Sequence, residues 1–155
     1  METSPAVRAF AMLLRAQAVT TRELSASLLA DHGLTINDFE ALLVLSSAPD
    51  QRLKRVDLAR RLLLTPSGVT RLLEGLENAG HVERAACDSD LRVTYAQLTD
   101  SGREKLAEAS CGHMSSIRTL FEEFLSPEEI EALGDMLAKL PGVAHGDDAC
   151  STVGV

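Results

Sequence analysis

Leu64-Thr65-Pro66 breaks a helical pattern and restarts it at once. Two segments separated by so short a break cannot run on as one helix. They must meet at a sharp turn. Thr65 suits the start of the second segment, because its side-chain oxygen can accept a free first-turn amide. Pro66 then falls at the first helical position, where its missing N–H costs nothing. Before the break, Val56 to Leu63 reads as a two-turn helix with Leu58, Ala59 and Leu62 inward, and Arg55 is a poor cap for it. After the break, Val69, Leu72, Leu73, Leu76 and Ala79 recur at three- and four-residue spacing, so one stripe faces a core. Gly75 weakens that helix modestly, and Gly80 supplies its stop.

Two strand candidates follow, His81–Ala85 and Val93–Leu98, joined by a polar tip from Cys87 to Arg92. Two helices at a tight turn followed by a two-stranded hairpin make a winged helix-turn-helix. The outward face of the second helix carries Ser67, Thr70, Arg71, Glu74 and Asn78. Its N-terminal half is short, hydroxylated and basic. A helix entering the major groove of DNA needs that chemistry: small donors near phosphates and one long cation reaching base edges. Arg71 is placed to read a guanine or, alternatively, to hold a phosphate. Thr65, Ser67 and Thr70 are expected at phosphates or base edges. Lys54, Arg55 and Arg84 are expected as phosphate partners, and Arg60 and Arg61 are expected only to solvate the outer face of their helix.

The flanking segments are helical and apolar. Residues 6–30 carry Phe10, Leu13, Leu14, Ala18, Leu24 and Leu28 near helical spacing, and Gly33 ends the run. Thr35 with Asp38 opens a strongly apolar helix (Ile36, Phe39, Leu42, Leu43, Val44) that reads as buried and stops before Pro49. Gln51–Lys54 is a short extended piece at most. Thr99 caps a helix running to about Leu125, whose later half is an apolar stripe. Ser126-Pro127-Glu128-Glu129 is a capping box for a last helix ending at Pro141-Gly142. The fold class is thus mainly α with a small antiparallel β wing. The partition is 1–34, an N-terminal helix; 35–99, the winged domain; 100–142, C-terminal helices; and 143–155, a tail expected to be mobile.

The chain has 155 residues and a net charge of −8, which at first argues against nucleic acid. Between Gln51 and Arg92, however, eight basic residues outnumber six acids, while both flanks are acidic. That island is either an electrostatic footprint or a fluctuation in a short window. Scarce aromatics, with no Trp and one Tyr, disfavour carbohydrate sites and single-strand stacking platforms. No apolar run reaches the length of a membrane span, and Met1–Arg15 lacks the features of a signal peptide, so a cytoplasmic chain is expected. Cys87, Cys111 and Cys150 are then expected to be thiols rather than disulfide partners. Cys87 near Arg84 and Arg92 could be activated, but a half-buried small residue is the plainer reading. His32, His81, His113 and His145 lack metal-ligand spacing. No nucleophile elbow, phosphate loop or acid pair supports catalysis, and no cofactor is expected.

The residues and their order resemble the MarR family of bacterial transcription regulators over roughly residues 8–140. The matching pieces are Leu34-Thr35, Asp57-Leu58-Ala59-Arg60-Arg61-Leu62, Thr65 to Leu72, Leu76-Glu77-Asn78-Ala79-Gly80-His81-Val82-Glu83-Arg84, Asp90-Leu91-Arg92 and Leu98-Thr99-Asp100-Ser101-Gly102. No one piece is diagnostic, but their order and spacing together are specific.

The resemblance implies a ligand-responsive repressor. It would be a homodimer with intertwined N- and C-terminal helices, bound to a pseudo-palindromic double-stranded DNA operator. The apolar stripes of residues 6–30 and 114–140 support the dimer independently, against a monomeric bundle. The family's wing carries an Asp-x-Arg pair entering the minor groove. Asp90 and Arg92 have that spacing, the bland alternative being a solvated salt bridge. Leu91 departs from a charged residue frequent there, so this wing is expected to hold fewer phosphates. The family's effectors are small aromatic or anionic compounds bound between the dimer helices and the winged domain. Here Arg15, His32, Phe39 and His113 are the lining residues so implied. The contrasting reading is a winged-helix protein-interaction module without specific DNA binding.

Overall fold

The computed structural model describes residues 4–86 and 93–143. Among these, the elements run α1 (Pro5–His32), α2 (Ile36–Ser46), a 3-10 turn (Pro49–Gln51), β1 (Arg52–Lys54), α3 (Arg55–Arg61), α4 (Pro66–Asn78), β2 (Val82–Ala86), β3 (Thr94–Leu98), α5 (Asp100–Glu122) and α6 (Pro127–Ala138). The molecule is a mainly helical winged helix-turn-helix.

Four helices begin on the hydroxyl residues read as caps. Thr35 accepts the Asp38 amide at 3.2 Å, and the Asp38 carboxylate accepts the Thr35 amide at 2.8 Å. Thr65 accepts from Gly68 at 3.1 Å and Thr99 from Gly102 at 3.0 Å. Ser126 and Glu129 close a second reciprocal box. Each such cap satisfies otherwise orphaned amides, for about 1 kcal/mol. Gly33 ends α1 with φ 69°, donating its N–H to the Leu29 carbonyl.

Three expectations are corrected. Arg52–Lys54 is a true strand: the sheet has three antiparallel strands in the order β1-β3-β2, with Leu53 opposite Ala96 and Val82 opposite Leu98. Its pairing partner lies some forty residues downstream, beyond the reach of local pattern. The helix expected over 56–63 is Arg55–Arg61, because Leu63 turns left-handed at φ 53°. α5 stops at Glu122, short of Leu125.

Helix α2 runs through the core, as its apolar composition foretold. Phe39, Leu42 and Leu45 meet Leu58 from α3, Leu73 and Leu76 from α4, Val82, Ala96 and Leu98 from the sheet, and Leu106 and Ala109 from α5. Burying each large aliphatic side chain contributes about 1.5–3 kcal/mol, so this knot fixes the orientation of α4. The outer helices differ. α1 packs on α5, yet Val7, Phe10, Leu13, Leu14, Phe124, Met136 and Leu140 stay exposed, and α6 buries no residue.

Candidate nucleic-acid interface

Helix α4 is amphipathic in the expected sense. Val69, Leu73 and Leu76 are buried, whereas Ser67, Arg71, Glu74 and Asn78 are exposed and Thr70 is half-buried. The face that should read DNA therefore points away from the core. Its hydroxyls divide by role. Thr65 is committed as the cap and lies 3.2 Å from Ser67 Oγ. Thr70 donates to the Pro66 carbonyl at 2.9 Å, so its proton is not available to a phosphate. Ser67 and Arg71, one helical turn apart, are left as the outward pair.

Lys54 is exposed at the end of β1. Arg55 is half-buried, and its Nη2 is out of water with no hydrogen-bond partner among the described residues. Arg84 bonds within the fold. Its Nε donates to both Glu77 carboxylate oxygens, at 2.8 and 3.0 Å, so it enters the site as half of an ion pair spanning β2 and α4. Local sequence could not show this, since the two residues belong to different elements. Arg60 pairs with Asp57 at 3.2 Å on the outer side of α3, the solvating role expected of it. Arg52 was not singled out. It lies 5.2 Å from the Tyr95 ring centroid and 3.4 Å from Asp50 on the outward face of the sheet. Asp90 and Arg92, with Cys87, lie outside the described residues, as do Cys150 and His145.

Three of the four residues implied for an effector come together where α1, α2 and α5 meet. Phe39 and His113 stack at 4.7 Å between ring centroids, tilted by 59°. His113 is buried, and burial, then the neighbouring His32, depresses its pKa below the ordinary histidine value. His32 Nδ1 is buried with no hydrogen-bond partner among the described residues and stands 3.6 Å from Glu108 Oε1. Arg15 does not join them, since seventeen residues of helix separate it from His32, about 25 Å along α1. Beside this joint, α1 and α5 enclose a groove of about 500 Å³ lined by Glu23, Asp31 and Glu123 with Ser115, Ser116 and Thr119. Three carboxylates make that groove a poor seat for an anion.

Among the described residues no group of three or more His, Cys, Asp or Glu side chains could hold a metal. No helix there is long and apolar enough to cross a membrane.

Comparison with known proteins follows the same lines. The MarR family model matches residues 32–92. The HTH-type transcriptional repressor YetL of Bacillus subtilis is 33% identical over 114 residues, covering 72% of this chain and 68% of that protein. The MarR family regulator AbsC of Streptomyces coelicolor superposes with a TM-score of 0.78 at 32% identity, covering 90% of this chain and 93% of that one. Sco3205, a MarR family regulator of the same organism whose structure is in complex with DNA, gives a TM-score of 0.81 at 28% identity, covering 88% and 86%.

Proposed function

This chain belongs to the MarR family of transcriptional regulators, and from that premise we propose that it works as a homodimer on a two-fold related DNA operator in the cytoplasm. One observation carries the reading: Ser67 and Arg71 project from the first two turns of α4 while the opposite face is locked into the core. Arg71 reads a base edge or holds a phosphate, Ser67 donates beside it, and Lys54 neutralises a backbone phosphate at the start of α3. Asp90 and Arg92 are proposed for the minor groove. Two copies would present paired recognition helices about 34 Å apart, one turn of duplex.

The dimer is supported by Val7, Phe10 and Leu14, a stripe exposed along one side of α1, together with Phe124 and Met136 near α6. Regions 1–34 and 100–142 are accordingly proposed as its dimerisation helices and 35–99 as its DNA-binding part. The site at Phe39, His32 and His113 is proposed to receive a small aromatic or anionic effector, because it joins the outer helices to the winged domain. Repression relieved by that effector is the mode proposed. The protein acts by binding, with no catalytic step.

The test is binding to the DNA flanking its own gene, followed by fluorescence anisotropy. Arg71→Ala should weaken specific binding by roughly 1–3 kcal/mol with the fold intact. Unchanged affinity would remove the site assignment. A steep fall of affinity with salt is expected for DNA, whereas a shallow one would favour a protein partner.

A further inference from the structure

We propose that Glu77 and Arg84 form a positioning strut that sets the angle between recognition helix and wing, and that selective DNA binding depends on it. The proposal rests on the DNA-binding reading above. Glu77 lies in the last turn of α4 and Arg84 in the middle of β2. Arg84 Nε donates to both carboxylate oxygens, at 2.8 and 3.0 Å. The Glu77 side chain is only 20% exposed, so its carboxylate is sheltered where Arg84 meets it.

Three arguments say that Glu77 is there for geometry. It stands at the C-terminal end of its helix, where a negative charge opposes the helix dipole. It adds negative charge to a domain that meets phosphates, which opposes binding to any duplex. An ion pair with a partner as exposed as Arg84, at 53%, adds little to stability. A residue unfavourable for its helix and for its ligand, and of small worth to the fold, is explained by what it holds in place.

The hinge it spans is short. α4 ends at Asn78, Gly80 turns with φ 77°, and β2 begins at Val82. Leu76 and Val82, both buried, act as the pivot between the two elements. The core and the Thr99 bonds to Gly80 and His81 hold the base of this hinge, whereas β2 beyond Val82 is largely exposed. Arg84, two residues farther along the strand and about 7 Å beyond Val82, reaches back to Glu77 and supplies the second point. The ion pair thereby holds this exposed part of β2 at a set angle to α4.

The test is a sign. Glu77→Gln keeps size and shape and removes one negative charge, so electrostatics alone predicts tighter binding to every duplex. The strut predicts the reverse for the selected operator, about a 10-fold loss, on the scale of coupling between contacting residues. Affinity for random duplex should be unchanged or higher, and the melting temperature close to wild type. Arg84→Gln should show the same selective loss, and the double variant should be no worse than either single one. A Glu77→Gln protein that binds operator and random DNA equally more tightly overturns the strut. So does an Arg84→Gln protein that loses affinity uniformly, the signature of a phosphate contact. A wild-type chain with no preference for any duplex selected from a random pool overturns the DNA reading itself, and the strut with it.

Discussion

Thr99 Oγ1 donates to the Gly80 carbonyl at 2.7 Å, and in the same position accepts the Gly102 amide at 3.0 Å. One hydroxyl thus caps α5 and ties the stop of the recognition helix to it. The Thr99 amide adds a bond to the His81 carbonyl at 3.1 Å. Thr99→Val keeps the shape and removes both side-chain bonds, so it should destabilise the fold by about 1–2 kcal/mol. Thr99→Ser should recover most of that. Urea unfolding midpoints check the pair; equal midpoints for Val and Thr would mean that the hydroxyl does not hold this joint.

Gly102 is fixed by proximity rather than by backbone conformation. A Cβ there would overlap the His81 carbonyl and crowd Leu98 Cδ1. Backbone cannot move aside as a flexible side chain can, so Gly102→Ala should cost about 3 kcal/mol or more and lower the thermal midpoint clearly. Gly75→Ala is the control. Nothing lies within 4 Å of its Cβ position, and alanine in a helix gains up to about 1 kcal/mol over glycine.

The contrast shows what a sequence can carry. Thr35, Thr65, Thr99 and Ser126 were legible because a cap is a bond between residues three apart, and the alphabet for it is short. The buried stripe of α4 was legible for the same reason of period. The third strand was not, because Leu53 faces Ala96 across most of the winged domain. The partner of Arg84 was not legible for a related reason: Glu77 lies on a different element, and only the fold brings the two together. Arg15 shows the converse: its charge suits an effector, but helix rise alone carries it away from Phe39 and His113. The helix end at Arg61 was missed because Leu63 takes a left-handed conformation that a leucine seldom announces.

His113 makes stability depend on pH. Burial, then the charge of His32, holds its folded pKa below the ordinary value of 6.5. Its neutral form is therefore the one the fold favours. At pH above 6.5 neither folded nor unfolded chain binds the proton, and the contribution is fully present. As pH falls below 6.5, the unfolded chain takes the proton first, and stability is lost until the folded pKa is passed. Glu40 works in the opposite sense, since partial desolvation raises its pKa above 4.5. The melting temperature should thus decline as pH drops below 6.5, and His113→Gln should flatten that decline. A wild-type curve that is already flat there would show that His113 is not sheltered from water.

The outer helices carry the last prediction. Phe10 is 62% exposed and Phe124 is 72% exposed, so neither supports the core of its own subunit. Replacing either with lysine should leave the melting of a single subunit nearly unchanged, because exposed substitutions usually lie within about 0.5 kcal/mol. In the proposed homodimer the same residues would be buried at the interface. Truncating a buried aromatic anchor at an interface costs about 2 kcal/mol or more, and burying a charge in its place costs further. Phe10→Lys should therefore move the association midpoint to roughly 30-fold higher concentration, seen by sedimentation equilibrium. Operator affinity should fall with it, since a lone subunit meets only one half-site. A wild-type chain that sediments as a monomer at every concentration would remove the dimer. A variant that stays dimeric would place the contact elsewhere than on this face of α1.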